Sequence, residues 1–236
     1  MELPARSDQM NGSEGGELAA RLASIALVPV IEIPDPQLAG PLADALLAAG
    51  LPCAEITFRT PGAAAAIRAI AQRHPGMLVG AGTVLSPDQV DQALDAGARF
   101  LVSPGFSPAV VSHALDRGAV MLPGACTPTE VEMARAAGIE LVKFFPAEPA
   151  GGVPYLQALT APYPSLRFVP TGGIDARNAA SYLAIGQVIA VGGSWMAPRS
   201  LIAGREFGAI TQRARDAVAL IRRLRAGPAA ADPPNT

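Results

Sequence analysis

Lysine is almost missing from this chain. Its 236 residues hold seventeen arginines and one lysine, Lys143. Arginine serves as well wherever a cation only has to sit in water, but it cannot form an imine, because its guanidinium stays protonated and delocalised. A single lysine kept against that bias raises the question of covalent amine chemistry, and its position has to answer it. Histidine is nearly as scarce. His74 and His113 fall in or near helical segments and read as solvated, so a divalent-metal site built on imidazole has little to draw on. The two cysteines, Cys53 and Cys126, lack metal-type spacing and read as reduced thiols in a packed interior. A formal net charge of −2 offers no basic face for nucleic acid. Apolar runs are broken by Pro, Gly or charge before the roughly 18 residues a membrane helix needs. The opening MELPARSDQMNGSEGGE has neither the apolar core of a signal peptide nor an Arg-rich amphipathic pattern, so a cytoplasmic location is expected.

What is present is apolar and periodic. Half of the residues are apolar and only 16% are charged, which suits a large core. Residues 1–16 read as a disordered leader and 226–236 as a disordered tail, with one domain over 17–225. Strands are expected at 25–33, 53–58, 77–82, 99–103, 119–124, 139–145, 166–170 and 188–193. They show little polar alternation, as for strands covered on both faces. Helical stretches lie between them. Residues 36–50 carry apolar residues at helical spacing. Ser86-Pro87, Ser107-Pro108 and Thr127-Pro128 each set an N-cap residue before a first-turn proline, and Gly118 and Gly138 close the last two of these helices. A long amphipathic helix follows at roughly 205–225. Eight βα units imply an α/β fold, a (β/α)8 TIM barrel in a single domain. An open doubly wound sheet would favour a GxGxxG fingerprint after the first strand, where this chain has IPDPQ.

A barrel gathers reactive residues at the C-terminal ends of its strands. Lys143 lies in the sixth expected strand between Leu141-Val142 and Phe144-Phe145, a poor place for an ordinary solvated lysine. Burial and a neighbouring cation both favour the neutral amine that attacks carbonyls, and Arg59 is the candidate cation. Glu55 sits inside the second strand, where an aliphatic residue is usual. A buried carboxylate has to be paired, protonated or functional. It is either a proton carrier for imine chemistry or half of an ion pair with Arg59, four residues on. Arg59 and Thr83 suit a substrate carboxylate, the guanidinium through two parallel hydrogen bonds. Thr171-Gly172-Gly173 and Gly192-Gly193-Ser194 follow the last two strands, where phosphate often sits in such barrels and where glycine lets backbone N–H groups approach an anion.

These motifs closely resemble the class I 2-keto-3-deoxy-6-phosphogluconate (KDPG) and 4-hydroxy-2-oxoglutarate (KHG) aldolases. The likeness rests on EITFRT (55–60), GAGTV (80–84), SPG (103–105), KFFPAE (143–148), PTGGI (170–174) and GGSW (192–195), and spans about residues 25–220. It implies Lys143 as the Schiff-base lysine and Glu55 as the acid/base. It also implies Arg59 and Thr83 at the pyruvyl carboxylate and Pro104 and Phe145 as pocket wall. Phosphate binding falls on Gly172, Gly173 and Ser194, with Thr171 and Gly193 beside them. The expected partner is a small-molecule keto-acid phosphate, with no nucleic acid, no membrane, no metal and no organic cofactor, in a homotrimer. The chain departs from the family at Phe58, where an aliphatic residue is common, and at ACTPTE (125–130). The expected reaction is reversible cleavage of 2-dehydro-3-deoxy-6-phosphogluconate to pyruvate and glyceraldehyde 3-phosphate. Its rivals are the 6-phosphogalactonate isomer or a phosphate-free hydroxy-keto acid as substrate, a phosphosugar epimerase or isomerase, and a non-catalytic phosphosugar-binding barrel.

Overall fold

A computed structural model of the chain describes residues 10–226. The first half runs α1 (Met10–Ile25), β1 (Leu27–Ile31), a 3-10 turn (Pro36–Leu38), α2 (Ala39–Ala48), β2 (Cys53–Thr57), α3 (Ala63–Arg73), β3 (Leu78–Gly82), α4 (Pro87–Asp95), β4 (Leu101–Val102) and α5 (Pro108–Asp116). The second half runs β5 (Met121–Leu122), β6 (Gly124–Ala125), α6 (Pro128–Ala136), β7 (Leu141–Phe144), α7 (Gly152–Thr160), β8 (Arg167–Pro170), α8 (Ala179–Leu183), β9 (Val191–Gly193), α9 (Arg199–Ala203) and α10 (Phe207–Ala226). The local grammar holds at most helix ends. Ser86 accepts a hydrogen bond from the Gln89 N–H, and Thr127 forms a reciprocal capping box with Glu130. Ser107 stands at its N-cap position without a side-chain bond. Gly118 and Gly138 adopt the left-handed conformation that ends α5 and α6.

All strand pairs are parallel, in a six-stranded sheet ordered β5-β4-β3-β2-β1-β9 and a three-stranded sheet ordered β6-β7-β8. The fold is therefore α/β with parallel sheets. The expected fifth strand, 119–124, is divided at Pro123, which has no N–H to give a ladder. Its carbonyl still accepts from the Lys143 N–H at 3.0 Å.

The period of two sorts each strand between two cores. Ile31, Ile56, Val142, Phe144 and Phe168 pack outward in a cluster that includes the helices. Val28, Cys53, Leu78, Phe100, Val102, Leu122, Leu141 and Val169 form a second, inner cluster drawn from strands of both sheets. Continuing the inner rows by two residues takes Cys53 to Glu55 and Leu141 to Lys143. Leu18 and Leu22 of α1 join the inner cluster where the strands begin, so α1 plugs the end opposite the two charged residues.

That anchoring corrects the expected leader. Residues 10–16 are helical, because Leu18 and Leu22 fix the later turns and the helix extends backward from them. Residues 1–9 of the leader and 227–236 of the tail lie outside the described residues, while Ala226 closes α10. Replacing fully buried Leu22 by alanine is expected to cost about 3 kcal/mol, read as a lower urea midpoint. A loss below about 1 kcal/mol would remove α1 from the core. The histidines are also corrected. His74 Nε2 lies 2.7 Å from Asp44 Oδ1, and His113 Nε2 lies 3.0 Å from Asp91 Oδ1, so each is partnered. No helix among the described residues is long and apolar enough to cross a membrane.

Candidate active site

Lys143 Nζ lies 3.2 Å from Glu55 Oε1, and both side chains are more than nine-tenths buried (7% and 4% exposed). They come from different sheets and meet between them. β2 and β7 each place their charge one step beyond an apolar inner residue, and backbone register fixes the height. Glu55 stands level with Val30 and Gly80, and Lys143 with Gly124 and Val169. Two desolvated ions persist there only by satisfying each other. The pairing settles which partner Glu55 has: it is Lys143. Arg59 lies past the end of β2, in a turn that breaks the extended geometry needed to bring residues 55 and 59 onto one face. It is exposed and makes no ion pair or side-chain hydrogen bond among the described residues.

Two glycines permit close approaches beside the pair, Gly82 to Glu55 and Gly124 to the Pro104 backbone, and sequence reasoning did not single them out. A Cβ on Gly82 would lie 2.2 Å from Glu55 Oε1 and 2.7 Å from its Cγ. A Cβ on Gly124, the register partner of Lys143, would lie 2.1 Å from the Pro104 carbonyl oxygen. GAGTV already held the first signal, since glycine in a buried strand marks a close approach. The expected outcome for Gly82→Ala is a turned Glu55 and a kcat about 10- to 100-fold lower, with the circular dichroism spectrum retained. Wild-type kcat in that variant would show that Glu55 does not need this orientation.

Phe145, Pro104 and Thr83 adjoin the pair or the residues beside it. Thr83 follows Gly82 with φ +57°, a left-handed conformation that is rare for a β-branched residue and costs on the order of 1–3 kcal/mol. The Phe145 ring centroid lies 5.3 Å from Lys143 Nζ. Phe145 also sits against the Gly172 loop, 3.3 Å from where a Gly172 Cβ would stand. The Phe145-Pro146 peptide is cis. Pro104 reaches the site through its contact with Gly124, and the Ser103 hydroxyl holds the turn by donating to the Gly105 carbonyl at 2.7 Å. Phe58, the departure from the family pattern, packs half-buried against the outer core.

The glycine loops have a common design. The carbonyls of Thr171, Gly172 and Gly173 accept from the Ala147 N–H, the Glu148 N–H and Asn178 Nδ2, at 2.8, 3.0 and 3.0 Å. Among the described residues the N–H groups of Gly173, Ile174 and Ser194 donate to no other group. Tied carbonyls leave these N–H groups as the loop's free donors, the kind of group that can approach an anion. Thr171 bridges to Gly192, which joins the two loops. The Trp195 ring covers Gly193, leaving 2.1 Å to a Cβ there, and its indole N–H is buried without an acceptor among the described residues. Ser194 is exposed. Cys126, at the same end of the strands, is unbridged. Burial, with the Glu130 charge second, pushes its thiol up and away from the thiolate a nucleophile needs.

A buried amine touching a buried carboxylate can form and resolve an imine on a keto acid. Comparison with known proteins agrees. Residues 18–213 match the family described as KDPG and KHG aldolase. A 2-dehydro-3-deoxy-phosphogluconate aldolase of Treponema pallidum is 46% identical over 200 residues, 85% of this chain and 95% of that one. A KDPG aldolase of Legionella pneumophila, solved with pyruvate captured as a covalent carbinolamine, superposes with a TM-score of 0.81 at 37% identity, covering 84% of this chain and 96% of that one. The Zymomonas mobilis ZM4 aldolase with 3-phosphoglycerate gives 0.80 at 40% identity, covering 86% and 95%. The chain belongs to the KDPG and KHG aldolase family.

Proposed function

We propose that this protein is a Schiff-base aldolase that reversibly cleaves 2-dehydro-3-deoxy-6-phosphogluconate to pyruvate and glyceraldehyde 3-phosphate. The observation that carries the reading is the buried contact of Lys143 Nζ with Glu55 Oε1. Transfer of one ammonium proton to the carboxylate leaves a neutral amine and a carboxylic acid already in place. The amine attacks the substrate C2 carbonyl. Glu55, directly or through a water, protonates the departing hydroxyl, and water leaves as the imine forms. The protonated imine draws in the electrons of the C3–C4 bond as the Glu55 carboxylate, directly or through a water, takes the C4 hydroxyl proton. Glyceraldehyde 3-phosphate departs, C3 of the enamine is protonated, and water hydrolyses the pyruvyl imine.

Arg59 and Thr83 hold the substrate carboxylate in this scheme. Arg59 reaches the site from its exposed turn, where no other partner competes for it among the described residues. Pro104 and Phe145 form the apolar wall. Gly172, Gly173 and Ser194, with Thr171 and Gly193 beside them, take the phosphate. The Zymomonas relative's 3-phosphoglycerate and the Legionella relative's pyruvyl carbinolamine support the two ends of this assignment. On the same reading the two sheets make one closed (β/α)8 barrel. Parallel bridges from Phe168 to Val188 and from Thr171 to Gly192 support closure, as does the direct link from β5 to β6 through Pro123. The homotrimer and cytoplasmic location implied by the resemblance belong to this reading too.

The test is pyruvate release, coupled to lactate dehydrogenase, from the 6-phosphogluconate-derived substrate, its galactonate isomer and 4-hydroxy-2-oxoglutarate. The reading requires the highest kcat/KM on the first. No pyruvate from any of the three would end it, and a preference for the galactonate isomer would reassign the substrate.

A further inference from the structure

We propose that Tyr182 is a positioning residue for the phosphate end of the substrate, acting through Glu148. The proposal rests on the assignment of the Gly172-Gly173 and Ser194 loops to phosphate.

Glu148 closes the KFFPAE run. Its N–H donates to the Gly172 carbonyl at 3.0 Å, so the residue is fastened to the loop. Its Cβ and Cγ fill the space a side chain on Gly173 would need, 2.6 and 2.7 Å from a Cβ there. A carboxylate therefore stands beside the N–H groups assigned to a phosphate of the same sign. Left to rotate, it would repel the substrate or accept the loop's own N–H bonds. Tyr182 on α8 removes that freedom. It is fully buried, and its hydroxyl donates to Glu148 Oε1. Gly152 borders the contact, with the position of a Cβ there 3.4 Å from Glu148 Oε1 and 3.6 Å from the Tyr182 hydroxyl, at ordinary van der Waals distance. Burial first, then the Glu148 hydrogen bond and charge, pushes the phenol up, so it stays a donor through the neutral range. Asn178, at the start of the same helix, holds the Gly173 carbonyl at 3.0 Å and accepts from the Asp175 N–H at 2.9 Å. α8 and its N-cap residue thus fix both the loop backbone and the carboxylate beside it, and the anion meets N–H groups with the negative charge held aside.

The experiment compares wild type, Tyr182→Phe and Tyr182→Phe with Glu148→Gln. Three quantities are read: KM and kcat on the phosphorylated substrate, the competitive Ki of inorganic phosphate, and the rate of pyruvate imine formation. Tyr182→Phe is expected to raise KM and the phosphate Ki about fivefold, with kcat and the pyruvate rate changed by less than about twofold. Adding Glu148→Gln is expected to restore most of the phosphate affinity, because a neutral amide does not repel the anion. An equal loss in the pyruvate rate would make Tyr182 merely structural and overturn the proposal. So would a phosphate Ki unmoved by Tyr182→Phe in an enzyme that phosphate inhibits. If phosphate fails to compete even in the wild type, the loop assignment itself falls, and this proposal with it.

Discussion

Lys143→Arg is expected to fold, to keep a cation against Glu55, and to lose cleavage by a factor on the order of 10⁴–10⁶, the scale seen when a covalent nucleophile is removed. Arginine is the informative replacement. It retains the positive charge that Glu55 needs in a site where both side chains are under a tenth exposed. It removes only the ability to become a neutral primary amine. If Lys143 worked through charge alone, by polarising a bound carbonyl, arginine would keep a sizeable share of the rate. Lys143→Met separates the other effect. It leaves Glu55 desolvated without a partner, and breaking a buried pair costs about 3–5 kcal/mol. Thermal melts of the two variants should therefore differ clearly while both are inactive in the coupled assay.

Glu55→Gln is expected to lower kcat by about 10²- to 10⁴-fold, the range for losing a positioned general acid/base. The amide can still accept a hydrogen bond from Lys143 Nζ at the position now held at 3.2 Å, so packing changes little. It cannot take a proton from the amine or give one to the departing hydroxyl. The slow steps should then be imine formation and hydrolysis, seen as a slower approach to the trapped pyruvate adduct with the same final stoichiometry. Glu55→Ala also loses the side-chain packing and the hydrogen bond to Lys143 Nζ that Glu55→Gln keeps. Equal kcat in the glutamine variant and the wild type would move proton transfer to another group.

Much of the fold was legible because buried parallel strands and capped helices leave local signals. The proline-led caps at Ser86 and Thr127 formed as read, and the strands fell within the expected ranges except at Ala125, one residue past the fifth. Lys143 and Glu55 were legible for a related reason. Each is a charge where the inner face of a strand calls for an apolar residue, and such a charge has to find a partner. Their meeting across two sheets was not legible, because no local rule states which strands face each other. The alternative ion pair of Glu55 with Arg59 did not form, because spacing by four implies one face only while the chain stays extended, and it turns at Phe58. Helix α1 was missed because its glycines and polar residues outweigh Leu18 and Leu22 in composition, although those two decide the packing. Glu148 and Tyr182 lie 34 residues apart, and neither shows its role until the loop between them is folded.

The account stands on an imine at one nitrogen. Incubating the wild-type protein with pyruvate, reducing with borohydride and mapping the peptides by mass spectrometry tests it directly. Lys143 is the only side-chain primary amine, so the chain's N-terminus is the sole internal competitor. The account predicts a reduced pyruvyl adduct on Lys143, saturating near one per chain and absent in Lys143→Arg. Wild-type protein that cleaves its substrate yet carries no adduct at Lys143, or is labelled at the N-terminus alone, would contradict it.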